Sequence, residues 1–185
     1  MWIFWQERRI LLKILEFWKT LCYNIFGKVY EKEKKEDRNM INVLSLSNHI
    51  ISLFEANEQR ITNLKLQKIL YYVQGYFFKK FDTEAFPEEI YCWQYGPVVP
   101  IAYYEYNIFG SRPLVSDNGY SIVLTEEERQ LIDLIVSKCQ KITSSVLVDQ
   151  THRELPWKNA LSGQIIAKQA IKRFFAYNDP LEICE

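Results

Sequence analysis

The chain has 185 residues, of which 48% are hydrophobic, 15% aromatic and 25% charged, so length and apolar content predict one domain with a substantial core and exclude a largely disordered protein. Basic and acidic residues number 23 each, which excludes a strong global attraction to nucleic acid or to an anionic membrane. The charge divides unevenly, because residues 1–39 carry a net +3 and residues 40–185 a net −3.

The first 39 residues differ in composition from the rest. Residues 2–26 place aromatic and aliphatic side chains at helical steps, but six charged residues interrupt them, which predicts an amphipathic helix and not a membrane span. Eight consecutive charges from Glu31 to Arg38 then predict a solvated linker. We therefore divide the chain into residues 1–39 and a domain over residues 40–185. Three roles stay open for the first helix: docking on the body, membrane-surface contact by residues 1–26, or contact with a partner helix.

Two amphipathic helices are predicted at the start of the body. Ser45 is expected to cap the first, and Thr62 the second, which continues to about Phe81. An apolar stripe runs along one side of the second helix. Four polar side chains are available to its other side: Lys65, Lys68, Gln74 and Lys79.

A small β element is predicted next. Alternating side chains between Glu88 and Tyr95 indicate a short strand that ends at Gly96-Pro97. Pro100 can occupy the first turn of a helix that runs to a left-handed cap at Gly110. The Asn-Gly pair within residues 117–119, between two short apolar segments, predicts a hairpin of two small strands.

The last third of the body is predicted to be helical. Thr125 and Glu128 form a capping box ahead of a long amphipathic helix. A further helix should span about Val146 to His152 and be disrupted by Pro156, and a final one should carry residues 165–174. The predicted fold class is mainly α (α+β), a compact helical domain with a small antiparallel β element.

Cysteine usage indicates a reducing compartment. Four cysteines lie 45 or more residues apart without a CxxC pair, which is unlike a secreted disulfide framework or a zinc site: Cys22, Cys92, Cys139 and Cys184. We expect a cytoplasmic protein without a structural metal or a cofactor.

Three clusters occur in a distinctive order. They are Lys65–Tyr72 (KLQKILYY), Trp93–Pro100 (WQYGPVVP) and Thr151–Trp157 (THRELPW). Together they resemble the Panacea domain, the SocA-like antitoxin family of bacterial and phage toxin–antitoxin systems, over about residues 40–175. The resemblance implies a non-enzymatic prophage or mobile-element protein that neutralises a toxin encoded next door by binding it. Because Met40 resembles the usual start of the family, a start at Met40 is a further hypothesis.

The same clusters supply the predicted contact surface for the toxin. Nine residues are predicted to bind the partner: Lys65, Lys68, Tyr71, Gln74, Tyr95, Gly96, Pro97, His152 and Trp157. Each also has a structural interpretation, with the tyrosines as helix packing, residues 95–97 as a fixed turn and His152 as a hydrogen-bonded side chain near Trp157. We expect at least one of Tyr71, Tyr72 and Tyr76 to remain accessible.

Other functions stay open as alternatives. A hydrolase would use Cys92 or Cys139 as nucleophile and His49 or His152 as base, although the chain has no phosphate loop, GxSxG elbow or zincin motif. A promoter-binding regulator is the third class, but the acidic body lacks a clear basic recognition helix, so no nucleic acid is expected. Bound toxin could be masked or passed to a protease.

Overall fold

The computed structural model describes residues 40–183. The predicted helix over residues 2–26, its membrane contact, the charged linker, Cys22 and Cys184 lie outside the described residues. Within the described range the protein is mainly helical with one small antiparallel sheet, which confirms the predicted fold class. None of the helices in this range is both long and apolar enough to cross a membrane.

Seven α-helices and two strands follow one another along residues 40–183. The helices are α1 Val43–Ala56, α2 Asn63–Phe81, α3 Pro100–Glu105, α4 Glu126–Gln140, α5 Ser144–Arg153, α6 Leu155–Lys158 and α7 Lys168–Tyr177. The strands are β1 Tyr91–Trp93 and β2 Gly96–Val98, and a 3-10 turn covers Asn107–Phe109. Both strands follow α2 along the chain and pair with each other in one two-stranded sheet.

Helix α2 is the centre of the fold. It contacts α1, α3, α4, α5, α7 and β2, and every residue from Lys65 to Phe78 is buried. Such a helix has no solvent side on which polar groups can be placed. The prediction that Lys65, Lys68 and Gln74 lie on an open side is therefore wrong, because neighbouring elements cover the whole circumference.

Local capping signals position the helices. The Thr62 side chain accepts the backbone N–H of Lys65 at the start of α2, and Thr125 and Glu128 form the predicted capping box at the start of α4. Helix α1 begins earlier than predicted, because the Asn42 side-chain oxygen Oδ1 accepts the backbone N–H groups of Leu44 and Ser45, each at 3.0 Å. Ser45 is thus a donor inside the first turn and not the cap.

The two strands form a tight hairpin. Trp93 pairs with Gly96, and Gln94 and Tyr95 form the two-residue turn, where Gly96 adopts a positive φ of 101°. The predicted strand therefore ends at Trp93, and Gly96-Pro97, which was predicted only to end that strand, begins a second one. Residue Ile165 bridges to Tyr91 on the other edge of β1. The final helix accordingly begins at Lys168, after the residues predicted to start it.

The hairpin predicted around Asn118-Gly119 is absent, since residues 114–123 form no strand. The Asn48 side chain bonds both backbone groups of Asp117, donating to its C=O at 2.9 Å and accepting its N–H at 2.7 Å. Glu55 accepts the N–H of Ser116 at 3.0 Å. Side chains of α1 thereby occupy the backbone groups that a hairpin would need.

Helix α3 begins at Pro100 as predicted but ends at Glu105. The 3-10 turn then leads to Gly110, where φ is +58°. Prediction and structure agree on the first residue and on the positive φ of the glycine. They differ in the length of regular helix between them.

Candidate functional site

A buried lysine fixes the hairpin to the central helix. The Lys68 ammonium donates to the Pro97 carbonyl at 2.8 Å, and burial lowers the pKa of Lys68 to about 7. A Cβ on Gly96 would lie 2.8 Å from Lys68 Nζ and 2.9 Å from the Thr151 hydroxyl oxygen. Lys68, Gly96 and Pro97 therefore form one packed junction between α2, β2 and α5.

A buried carboxyl fixes the α5–α6 junction in the same way. Tyr71 donates to Glu154 Oε2 at 2.7 Å and Tyr72 donates to Oε1 at 3.0 Å. Burial raises the pKa of Glu154 to about 7, even though both hydrogen bonds favour the carboxylate. Sequence reasoning missed Glu154, although its place between His152 and Trp157 in the third cluster was a signal that it belonged to the interior.

Gln74 joins α2 to the segment before the sheet. Its side-chain oxygen accepts the N–H groups of Ala85 and Phe86 at 3.1 and 3.2 Å. The amide is fully buried. Gln74 thus satisfies loop backbone inside the protein, in the place where a partner-binding role was predicted.

The tyrosines of α2 are packed inside the protein. Tyr71, Tyr72 and Tyr76 are each at most 1% exposed, and the Phe175 ring of α7 meets all three edge-on with centroids 5.1 to 6.3 Å apart. Tyr76 also bonds Asp179 and accepts the Leu181 N–H. The expectation that one of the three remains accessible is wrong, because α7 covers the side of α2 that carries them.

The predicted site residues divide by exposure. Six are buried: Lys65, Lys68, Tyr71, Gln74, Gly96 and Pro97. Tyr95 at the hairpin turn is 61% exposed, and His152 and Trp157 are partly exposed. The last two rings stack with centroids 3.9 Å apart and 17° between their planes. The predicted proximity of His152 to Trp157 is thereby confirmed, but the predicted hydrogen bonding is not, because the buried His152 Nε2 has no hydrogen-bond partner among residues 40–183.

An aromatic cluster that sequence reasoning missed lies beside the hairpin. The Trp93 ring contacts Tyr103 at 4.9 Å and Tyr104 at 6.2 Å between centroids, and the two tyrosines contact each other at 5.5 Å. Tyr104 is 65% exposed. Ile101, one turn earlier on α3, is also exposed on this helix face.

A pocket of about 440 Å³ is lined by both Trp93 and Trp157. The Trp157 indole N–H donates to the Trp93 carbonyl at 3.2 Å and so ties α6 to β1. The pocket is lined by Cys92, Trp93, Gln94, Trp157, Lys158, Ala160 and Ser162. Cluster and pocket both include Trp93, so they adjoin at this residue.

We name this surface the docking face. It consists of Trp93, Trp157 and the exposed side chains Tyr95, Ile101, Tyr104, Leu155, Leu161 and Ile165. Its two segments, residues 91–104 and 155–167, comprise 27 residues and contain one charged side chain, Lys158, whereas 25% of the chain is charged. Depletion of charge with enrichment of aromatic residues is typical of the core of a protein–protein interface.

The two buried thiols are poor nucleophiles. Burial raises the pKa of Cys139 to about 12 and also raises that of Cys92, so both are neutral at pH 7. The Cys92 thiol lies 3.7 Å from the carbonyl oxygens of Trp157 and Ala160. Neither environment supplies the lowered pKa that the hydrolase alternative requires. In residues 40–183, no group of three His, Cys, Asp or Glu side chains could hold a metal ion.

Comparison with known proteins identifies the domain. A family model described as antitoxin SocA-like, Panacea domain, matches residues 66–158, which is half of the chain. The matched range contains most of α2, the hairpin, α3, α5 and α6, and therefore both junctions and most of the docking face. No significant match was found among curated proteins or among solved structures. The chain belongs to the SocA-like antitoxin family, whose members share the Panacea domain.

Proposed function

We propose that this protein is the antitoxin of a toxin–antitoxin system and neutralises a cognate protein toxin by binding it through the docking face. The observation that carries the proposal is an exposed, nearly uncharged aromatic surface on a domain of an antitoxin family. Large exposed apolar patches on a protein surface commonly mark interaction sites. Family membership alone would leave the function as an analogy.

The interior beneath the docking face supports a binding role. Lys68 holds the hairpin through Pro97, and Glu154 holds the α5–α6 junction through Tyr71 and Tyr72. The hairpin and the α5–α6 junction, which both carry side chains of the docking face, are therefore attached to α2. A surface held in this way loses little conformational entropy when a partner binds, which favours affinity.

Neutralisation by this route needs no bond to be made or broken. A toxin is silenced when the complex covers its active site, and a specific interface needs about 800 Å² on each partner. Tyrosine and tryptophan suit the centre of such an interface, because they bury a large area and have few rotamers to restrict. We propose no enzymatic step for this protein.

The domain organisation forms part of the proposal. Residues 40–185 are proposed to contain the whole antitoxin domain, so a chain that starts at Met40 should protect cells as well as the full chain. Masking is the proposed mode, and delivery to a protease is the alternative. The two modes are separated by the toxin level after antitoxin induction, which stays constant with masking and falls with delivery.

The direct test uses the open reading frame next to this gene. Its product is expected to be lethal alone, harmless when co-expressed with this protein, and bound by it in purified form. Tyr104→Ala should weaken binding about 30-fold, the effect of removing a side chain worth about 2 kcal/mol at an interface. The matched control is Tyr177→Ala, which truncates a tyrosine that is 87% exposed on α7. Equal binding by the two variants would contradict the docking face, and absence of any lethal, bound neighbour would contradict the function.

A further inference from the structure

We propose that the pocket between Trp93 and Trp157 receives a segment of the toxin in which a large apolar side chain stands next to a carboxylate. The apolar side chain enters the pocket beside the two tryptophans, and the carboxylate pairs with Lys158. This inference rests on the proposed function, since it specifies the chemistry of the partner at the docking face.

The shape and lining of the pocket favour a large apolar side chain. Its volume of about 440 Å³ lies within the roughly 300 to 1,000 Å³ common for binding sites of small groups. Two indoles and the Ala160 side chain supply apolar wall. The Cys92 thiol at the wall lies 3.7 Å from the carbonyl oxygens of Trp157 and Ala160 and can donate its one proton to either of them. An aromatic side chain entering here would therefore replace water mainly at apolar surface.

The polar groups around the pocket favour an anion. Lys158 is its only charged lining residue, Gln94 and Ser162 add donors, and no carboxylate lines it. Lys158 forms no salt bridge with residues 40–183. The nearest acidic residue in sequence, Glu154, is buried and bonded to two tyrosines. Lys158 is thus available to a carboxylate supplied by the partner.

Charge also argues against a second copy of this chain as the occupant. A symmetric dimer would place the same surface on both sides of the interface. The two segments of the docking face contain Lys158 and no exposed carboxylate. Face-to-face association of two copies would therefore bring two Lys158 side chains into one interface without a counter-charge. In a complex with an acidic partner segment, the single Lys158 would instead have a carboxylate to pair with.

Blocked tetrapeptides test this chemistry on the full chain. The probes are acetyl-Gly-Phe-Asp-Gly-amide, the same peptide with Asn for Asp, and the same peptide with Ala for Phe. Binding is followed through the indole ¹⁵N–H signals of Trp93 and Trp157, assigned with Trp→Phe variants. The Phe-Asp peptide should shift both signals in the millimolar range, and either replacement should weaken its binding about threefold to fivefold.

Lys158→Gln isolates the charge. This variant should bind the Phe-Asp and Phe-Asn peptides equally, whereas the control Lys141→Gln, at another exposed lysine, should keep the preference for aspartate. Added salt should reduce that preference in the wild-type chain, because the pair is exposed. If Lys158→Gln still bound the aspartate peptide more tightly than the asparagine peptide, Lys158 would not be the cation that pairs with the carboxylate.

Three outcomes overturn the inference. They are absence of indole shifts, equal binding of the aspartate and asparagine peptides by the wild-type chain, and homodimerisation that strengthens in Lys158→Gln. The last would assign the pocket to a second copy. If the toxin still binds in a Tyr104-dependent manner, the proposed function stands and only the pocket chemistry fails. If no toxin binds, the proposed function itself fails.

Discussion

The stability of the domain should depend on the ionisation of Glu154. Burial raises the pKa of this carboxyl from 4.5 to about 7. Between these two values the folded protein holds a proton on Glu154 that the unfolded chain has released. The folded state therefore gains stability as pH falls through this range and loses it as pH rises from about 4.5 to 7.

The size of the effect follows from the two pKa values. A difference from 4.5 to about 7 corresponds to about 3 kcal/mol in the free energy of unfolding over the whole range. Glu154 is only 5% exposed, so solvent screens this cost little. His49 and His152 oppose it, because burial lowers their pKa and favours folding at higher pH. The wild-type curve alone therefore does not isolate the carboxyl.

Glu154→Gln isolates it, because the amide has the same shape and no charge. Its oxygen can accept from one of Tyr71 and Tyr72 while its N–H donates to the other. Relative to wild type, this variant should become more stable by about 3 kcal/mol between pH 5 and pH 8. Urea unfolding at four pH values measures the difference, with the exposed Glu127→Gln as control. A difference between Glu154→Gln and wild type that does not change with pH would refute the reasoning.

Three further substitutions test the interior. In the wild-type protein the free energy of unfolding should rise between about pH 7 and 10, because the folded-state pKa of Lys68 is about 7 and the unfolded chain keeps its proton to higher pH. Lys68→Met should remove this rise, as measured by urea unfolding across the same pH range. Gly96→Ala should lower the urea midpoint by the equivalent of about 1 to 3 kcal/mol, because φ is +101° and the new Cβ would press on Lys68 and Thr151. Gly75→Ala should cost about 2 kcal/mol by thermal unfolding, because its Cβ would overlap the Phe175 ring; unchanged stability in either glycine variant would contradict the packing.

Features with a local cause could be predicted from the sequence. The Thr125–Glu128 capping box, the Thr62 cap and the start of α3 at Pro100 each depend on residues within one helical turn. Nothing distant competes for these groups. The helical content follows from such signals, whereas the antiparallel pair forms at residues 91–98 and not at the Asn-Gly pair where a hairpin was predicted.

Features decided by distant contacts could not be predicted. The Asn-Gly signal near Asp117 is overridden because Asn48, 69 residues earlier, binds both backbone groups of Asp117. Lys68 and Gln74 were expected at a solvent side because polar residues usually lie there. Both instead bond the backbone of segments packed on α2, and a one-dimensional pattern does not reveal such partners.

The docking face left a signal in the sequence that motif analysis overlooked. Residues 91–104 contain five aromatic residues, one isoleucine, two valines and no charged residue, in a chain that is one-quarter charged. Hydrophobicity alone would assign such a segment to the core. The structure exposes Tyr95, Ile101 and Tyr104 because the short hairpin and the single turn and a half of α3 have only one side to bury.

The buried residues of the three motifs and the exposed side chains of the docking face have different physical roles. Motif residues such as Lys68 and Glu154 bond the hairpin and the α5–α6 junction from inside, so changing them should alter stability and its pH dependence first. Tyr95 and Tyr104 project from the elements that those bonds hold, so changing them should alter affinity while the unfolding free energy stays nearly constant. One interior can then carry different exposed side chains. We therefore expect partner affinity to depend on exposed side chains and domain stability to depend on the buried ones.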